Sequence, residues 1–129
     1  MREPAKLSAS IMYDYKVVNT SGDHSWLSDE PLEEHGQNEG PTPVQLLLSS
    51  IASCVLITLR KYAQRRNWDA GEIHIDLTLD EIDEVTHISK EIQFSGQLEE
   101  EQIQRLLEIS GRSPVVKMLS GAIKFKLIE

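Results

Sequence analysis

The chain has 129 residues, with thirteen Lys and Arg against twenty-one Asp and Glu, a formal charge of −8. That length suits one domain of about 100–150 residues, and a composition 40% hydrophobic and 26% charged is too apolar for a disordered chain. The acidic balance argues against a nucleic-acid partner, which calls for basic charge to displace counterions, and the single cysteine, Cys54, excludes an intrachain disulfide. The opening stretch MREPAKLSAS has no apolar signal-peptide core. The run Val44 to Leu59 is broken by Gln45, Ser49, Ser50 and Ser53 and is shorter than the roughly 20 apolar residues that cross a bilayer. The expectation is one cytoplasmic domain over residues 1–129, with no membrane partner.

Residues 6–28 read as N-terminal strands. Ile11, Tyr13, Tyr15, Val17 and Val18 favour extended backbone, Thr20 to Asp23 is a turn cluster, and His24 to Ser28 is a short return strand. Residues 29–42 hold acidic residues, glycines and prolines with no hydrophobic period, which predicts a surface loop. Thr42 as N-cap and Pro43 at the first helical position open a central helix over 43–67, ended by Asn67 or Gly71. Its leucines, isoleucines and valines cover most of the circumference, so several faces must be covered by protein. Ile73, Ile75, Leu77 and Leu79 alternate with polar residues and start a hairpin over 72–95. A turn centred on Ile82 and Asp83 sets Leu77 opposite Ile88, Ile73 opposite Ile92, His74 opposite Glu91 and His87 opposite Thr78.

Helices over 99–110, closed by Gly111, and 114–119, capped by Ser113 before Pro114, precede a last strand over 122–128 in which Ile123, Phe125 and Leu127 alternate with lysines. The order of strands, long helix, hairpin, two helices and strand is an α+β layout.

Cys54 is the one residue with obvious redox chemistry. Ser50 and Thr58, one turn to either side, leave a gap in the apolar surface beside the thiol. A cysteine here also packs well as a small hydrophobe. It lies eleven residues past Pro43, about 16 Å along the helix at about 1.5 Å per residue, too far to feel the helix N-terminus. Without a cation brought in by the fold, a buried thiol is inert. His74 and His87 fall on the polar face of the hairpin without being adjacent, and His24 and His35 have no ligand spacing, so no metal site is predicted. No phosphate loop or nucleophile elbow is present, and no cofactor is expected.

The stretch GPTPVQLLLSSIASC (residues 40–54), its continuation ITLRKYA (57–63), and SPV (113–115) resemble the OsmC/Ohr family, the osmotically inducible and organic-hydroperoxide-resistance proteins. The resemblance covers nearly the whole chain. It implies an OsmC-like fold, with antiparallel sheets wrapped around a long central helix in an intertwined homodimer whose active sites lie at the interface. It further implies a first cysteine at Cys54 that attacks a hydroperoxide, a second cysteine that resolves the sulfenic acid, and an arginine paired with a glutamate that ionises the first thiol.

This chain departs from that pattern. Ser113 stands at the second cysteine's place, keeping a capping role and losing the redox one. Val44 and Gln45 stand where the glutamate belongs, and no arginine occurs between Arg2 and Arg60. Arg112 or Arg2 can substitute for the missing cation, with help from His35 or Glu39, and Gln45, Ser50, Thr58 and Arg112 are the candidate binding residues. Two functions are compatible with this pattern. One is a one-cysteine peroxidase recycled by an external thiol. The other is a divergent member without peroxide chemistry, binding a small hydrophobic ligand at the dimer interface or serving as a scaffold.

Overall fold

The computed structural model describes residues 3–128, and the chain divides into two compact units, residues 1–47 and 48–129. In the first, β1 (Ser8–Ile11), β2 (Val17–Ser21) and β3 (His24–Ser28) form an antiparallel sheet in that order. The extended run predicted over 6–20 is broken at Met12 to Lys16, where the Lys16 N–H bonds back to Asp14 Oδ1 at 3.1 Å. A two-residue loop joins β2 to β3, pairing Ser21 with His24. Gly22 supplies the left-handed first position, φ 58°, that such a loop demands.

The acidic segment, featureless as a sequence, is folded around one carboxylate. Asp29 is buried: its Oδ1 accepts the Glu30 N–H at 2.7 Å, and its Oδ2 accepts those of Gln37 and Glu39 at 3.3 and 3.1 Å. Its own N–H donates to the Pro41 carbonyl at 3.1 Å, and a single 3-10 turn, Leu32–Glu34, lies inside the loop. The sequence hid this because Asp29 sits in a run of acids that otherwise face water.

The long helix α1 runs from Pro43 to Arg65. Thr42 caps it as expected, and the contact is reciprocal: Thr42 Oγ1 accepts the Gln45 N–H at 3.1 Å while Gln45 Oε1 accepts the Thr42 N–H at 2.9 Å, a capping box. At the far end Asn67 takes the left-handed position that ends the helix, φ 55°, and Gly71, also left-handed at φ 64°, lies beyond it. The Trp68 N–H reaches the Ala63 carbonyl and the Asn67 N–H reaches Gln64, a Schellman closure, with Trp68 packed edge-on to Tyr62. By length and composition this helix is long enough to cross a bilayer. In this fold Ile51, Val55, Leu59 and Ala63, spaced four apart, form its buried ridge. Val44, Leu47 and Ile57 remain exposed, so the single chain covers fewer faces than the sequence predicts.

In the second unit, β4 (Ile73–Ile82) and β5 (Val85–Phe94) pair antiparallel, followed by α2 (Glu100–Ser110) and α3 (Pro114–Ser120). The core joins Ile51, Val55 and Leu59 of α1 to Leu106 and Ile109 of α2, with Ile73, Ile75, Leu77, Ile92 and Phe94 of the hairpin against it. The hairpin register is two residues away from the one predicted. Ile82 pairs with Val85 around an Asp83-Glu84 loop, so Ile73 faces Phe94, Leu79 faces Ile88, His74 faces Gln93 and His87 faces Asp80. A two-residue slip keeps every side chain on its face, and hydrophobic alternation alone does not separate the two registers. Both loop residues are left-handed, φ 51° and 66°, without the Asn or Gly that normally signals this turn.

Gly111 closes α2 as predicted, in the right-handed region, φ −78°, its N–H closing onto the Glu108 and Ile109 carbonyls. One other expectation fails. Residues 122–128, predicted as a last strand, form none among the described residues and pair with neither sheet.

Where the chain enters and leaves the hairpin, the Gly96 N–H bonds the Ala70 carbonyl and the Ser95 N–H that of Glu72. A Cβ on Gly96 would fall on the Asp69 carbonyl oxygen and against the Ala70–Gly71 peptide, all of it backbone. Gly96→Ala is therefore expected to cost at least about 2 kcal/mol in urea unfolding. Gly111→Ala, whose Cβ meets only the Glu108 carbonyl at 3.6 Å, should be neutral or stabilising by up to about 1 kcal/mol.

Burial opposes the charge on Asp29, but the N–H groups of Glu39, Glu30 and Gln37 and the nearby Lys16 outweigh it and hold the carboxyl below its ordinary value of 3.8. A carboxyl lowered in the fold stabilises above its unfolded value and loses that contribution as pH falls through the folded one. Hydrogen exchange should thus find the Gln37 and Glu39 amides protected at neutral pH, losing protection below about pH 4. Asp29→Asn should lower that protection by about tenfold already at pH 7.

Candidate active site around Cys54

Cys54 lies on α1 one residue before Val55, which is fully buried in the core ridge. At about 100° per residue the thiol is turned to the flank of that ridge, and Cys54 is half-buried. Its Sγ accepts the backbone N–H of Val115 at 3.5 Å. Val115 is the second residue of α3, so the first turn of the short helix stands directly over the sulfur. Two segments 61 residues apart meet here. One carries the cysteine and the other carries Ser113.

Ser113 is fully buried and occupies the N-cap position of α3 with extended dihedrals, φ −66° and ψ 145°. Its backbone carbonyl accepts the Lys117 N–H at 3.0 Å. Its hydroxyl makes no capping bond, and its Oγ has no hydrogen-bond partner among the described residues. The expectation that the serine side chain caps the helix is corrected: Pro114 at the first position removes one donor from the first turn, and the Val115 N–H is committed to Cys54 Sγ. A buried hydroxyl left unpaired costs about 1–3 kcal/mol.

The other candidates from the sequence are dispersed. Ser50 and Thr58 lie one turn to either side of Cys54, Ser50 exposed and Thr58 half-buried. Gln45 spends its amide oxygen in the capping box of α1. Arg112 is exposed; its N–H bonds the Ile109 carbonyl, and its guanidinium makes no hydrogen bond or ion pair among the described residues. His35 closes the 3-10 turn with φ 70°, and Glu39 pairs with Lys16 Nζ at 3.2 Å. Arg2 lies outside the described residues. His74 Nε2 stands 3.2 Å from Asp76 Oδ1, and no group of three metal-ligating side chains occurs among the described residues.

Two features escaped the sequence. The Val115 N–H is a backbone group, invisible to any residue pattern. Lys90 breaks the apolar series Ile88, Ile92, Phe94 on one face of β5, and that interruption is a signal present in the sequence itself.

The family model described as OsmC-like protein matches residues 36–128. Among solved structures, an OsmC-like protein from Mycoplasma pneumoniae superposes with a TM-score of 0.81 at 19% identity, over 94% of this chain and 90% of that one. An organic hydroperoxide resistance protein OsmC from Legionella pneumophila gives 0.67 at 16% identity, over 92% and 90%. The organic hydroperoxide resistance protein OhrB of Bacillus subtilis gives 0.63 at 22% identity, over 92% of each chain. No curated protein sequence matches this one. The solved structures carry the likeness of fold, the family model spans both Cys54 and Ser113, and the chain belongs to the OsmC-like protein family.

Proposed function

We propose that this protein is a cytoplasmic redox enzyme, a one-cysteine hydroperoxide reductase acting through Cys54 as a homodimer, with residues 1–129 as one functional domain. The observation that carries the reading is the Val115 N–H on Cys54 Sγ: it fixes a half-buried, reachable sulfur at one point in space, as a nucleophile requires. Membership in a family with hydroperoxide-resistance relatives supports it.

The sulfur attacks one peroxide oxygen as the O–O bond breaks. The thiolate becomes sulfenic acid, losing two electrons, and the peroxide leaves as alcohol after taking up one proton. Ser113 offers no thiol to resolve it. One external thiol then displaces water to give a mixed disulfide, and a second releases Cys54 and leaves as an external disulfide. The second reading, a family member that binds a small hydrophobic molecule between copies without peroxide chemistry, draws on Ser113 and on the uncharged Gln45 held in its capping box.

Intact mass after one equivalent of cumene hydroperoxide separates the two. The expected result is a chain one oxygen atom heavier that resists iodoacetamide, recovers with dithiothreitol, and does not form in Cys54→Ser. A thiol that alkylates only in denaturant, with or without peroxide, overturns the enzyme and leaves the binding module. In Ser113→Cys the same treatment should give an intrachain disulfide, two hydrogens lighter than the reduced variant.

Dimerisation is supported by apolar surface that one chain leaves bare. Residues 122–128 alternate Ile123, Phe125 and Leu127 with lysines, yet Phe125 is 95% and Leu127 89% exposed. A second copy supplies the missing sheet edge and covers the open face of α1. Light scattering is expected to give twice the 14.6 kDa chain mass, and Phe125→Asp to shift it toward a single chain. A monomer for the unaltered protein removes the dimer.

A further inference from the structure

Lys90 stands where an apolar side chain is expected. It shares its face of β5 with Ile88, Ile92 and Phe94 and pairs across the ladder with Leu77. Its Nζ donates to Ser110 Oγ at 2.8 Å, and that fully buried hydroxyl in turn donates to the Leu107 carbonyl at 2.6 Å, so the serine is fully committed. No carboxylate lies within ion-pair distance of Nζ among the described residues. Lys90 is exposed as a residue, but partial desolvation pushes its amine below the ordinary lysine range, with no opposing charge to restore it. A partly desolvated ammonium without a counter-ion gains from an anion brought beside it.

The amine borders a cavity of about 180 Å³. Ile51 and Val55 of α1, Leu77 and Ile88 of the hairpin, and Val116 and Leu119 of α3 form its walls with Ser120 at the end of α3, and among the described residues Lys90 is the only charged group lining it. At about 30 Å³ per water-sized group, that space takes about six such groups. One cation on an apolar chamber matches a singly charged head on a short alkyl tail. A phosphate or a dicarboxylate brings more charge than one ammonium neutralises.

We propose that this cavity binds a small monocarboxylate of about six carbons, its carboxylate paired with Lys90 Nζ and its tail laid against α1, the hairpin and α3. The site needs no thiol chemistry, so it stands or falls independently of the reductase reading.

The test is calorimetric titration of the full chain with hexanoate in chloride buffer, beside hexan-1-ol, which keeps the tail, and hexylamine, which inverts the charge. Hexanoate is expected to saturate at one per chain, with both analogues at least about tenfold weaker, the factor that a charge-assisted contact carries. Lys90→Met should weaken hexanoate by the same factor and leave hexan-1-ol unchanged, while Lys90→Arg retains binding. Methyl shifts of Ile51, Val55, Ile88 and Val116 in the unaltered protein locate the ligand even where a variant fails to fold. The proposal is overturned by hexanoate that does not bind, as when an acidic side chain of a second copy already occupies Lys90. It is equally overturned by hexanoate that binds no better than hexan-1-ol, keeps its affinity in Lys90→Met, or shifts methyls elsewhere.

Discussion

The second unit is assembled on one ridge of α1. Ile51, Val55, Leu59 and Ala63 repeat every four residues, and the first three pack in one core cluster with Leu106 and Ile109 of α2. Val55, Leu59 and Leu106 lose all contact with water, each contributing about 1.5–3 kcal/mol. That packing places α2, and α2 hands the chain through Gly111 and Arg112 to α3. The thiol of Cys54 meets Val115 because its neighbour in sequence is locked into the ridge and α3 comes directly after the helix packed on it. The site therefore inherits its geometry from apolar contacts that take no part in its chemistry.

Polar groups set the ends. The capping box of Thr42 and Gln45 fixes where α1 begins. At its far end, beside the Schellman closure at Asn67, the guanidinium of Arg60 holds the Gly71 carbonyl, and Arg105 Nε of α2 donates to Tyr62 Oη at 2.8 Å. In the first unit the same work falls to Asp29, whose carboxylate gathers backbone donors from both ends of the loop.

What could be read from the sequence divides along the range of the forces involved. The start of α1 was legible because Thr42 and Pro43 act within the first turn, while the part of Gln45 in the capping box emerged only from the structure. The strands of the hairpin were legible because alternation is local, whereas its register depends on a turn, Asp83-Glu84, that lacks the residues such turns favour. The capping serine was half right: position 113 is an N-cap, but its hydroxyl has no partner because the donor it would meet is spent on a sulfur from a helix 61 residues away. Residues 122–128 carry a strand pattern without a strand in this chain, since a pattern of side chains does not supply a neighbouring edge. Asp29 was hidden among acids that look alike in sequence and differ only in what surrounds them.

The Asp83-Glu84 turn bears on the order in which the second unit forms. Two non-glycine residues in the left-handed region each cost about 1–2 kcal/mol, and a hairpin closed by such a turn gains little from its own loop. Its strands are held instead by the apolar face they lay on α1 and α2. The transition state for folding is then expected to be polarised, with high φ-values at Val55 and Leu106 of the core and low ones at the hairpin tip. Changes at that tip would show mainly in how fast the protein unfolds, and changes in the ridge in how fast it folds.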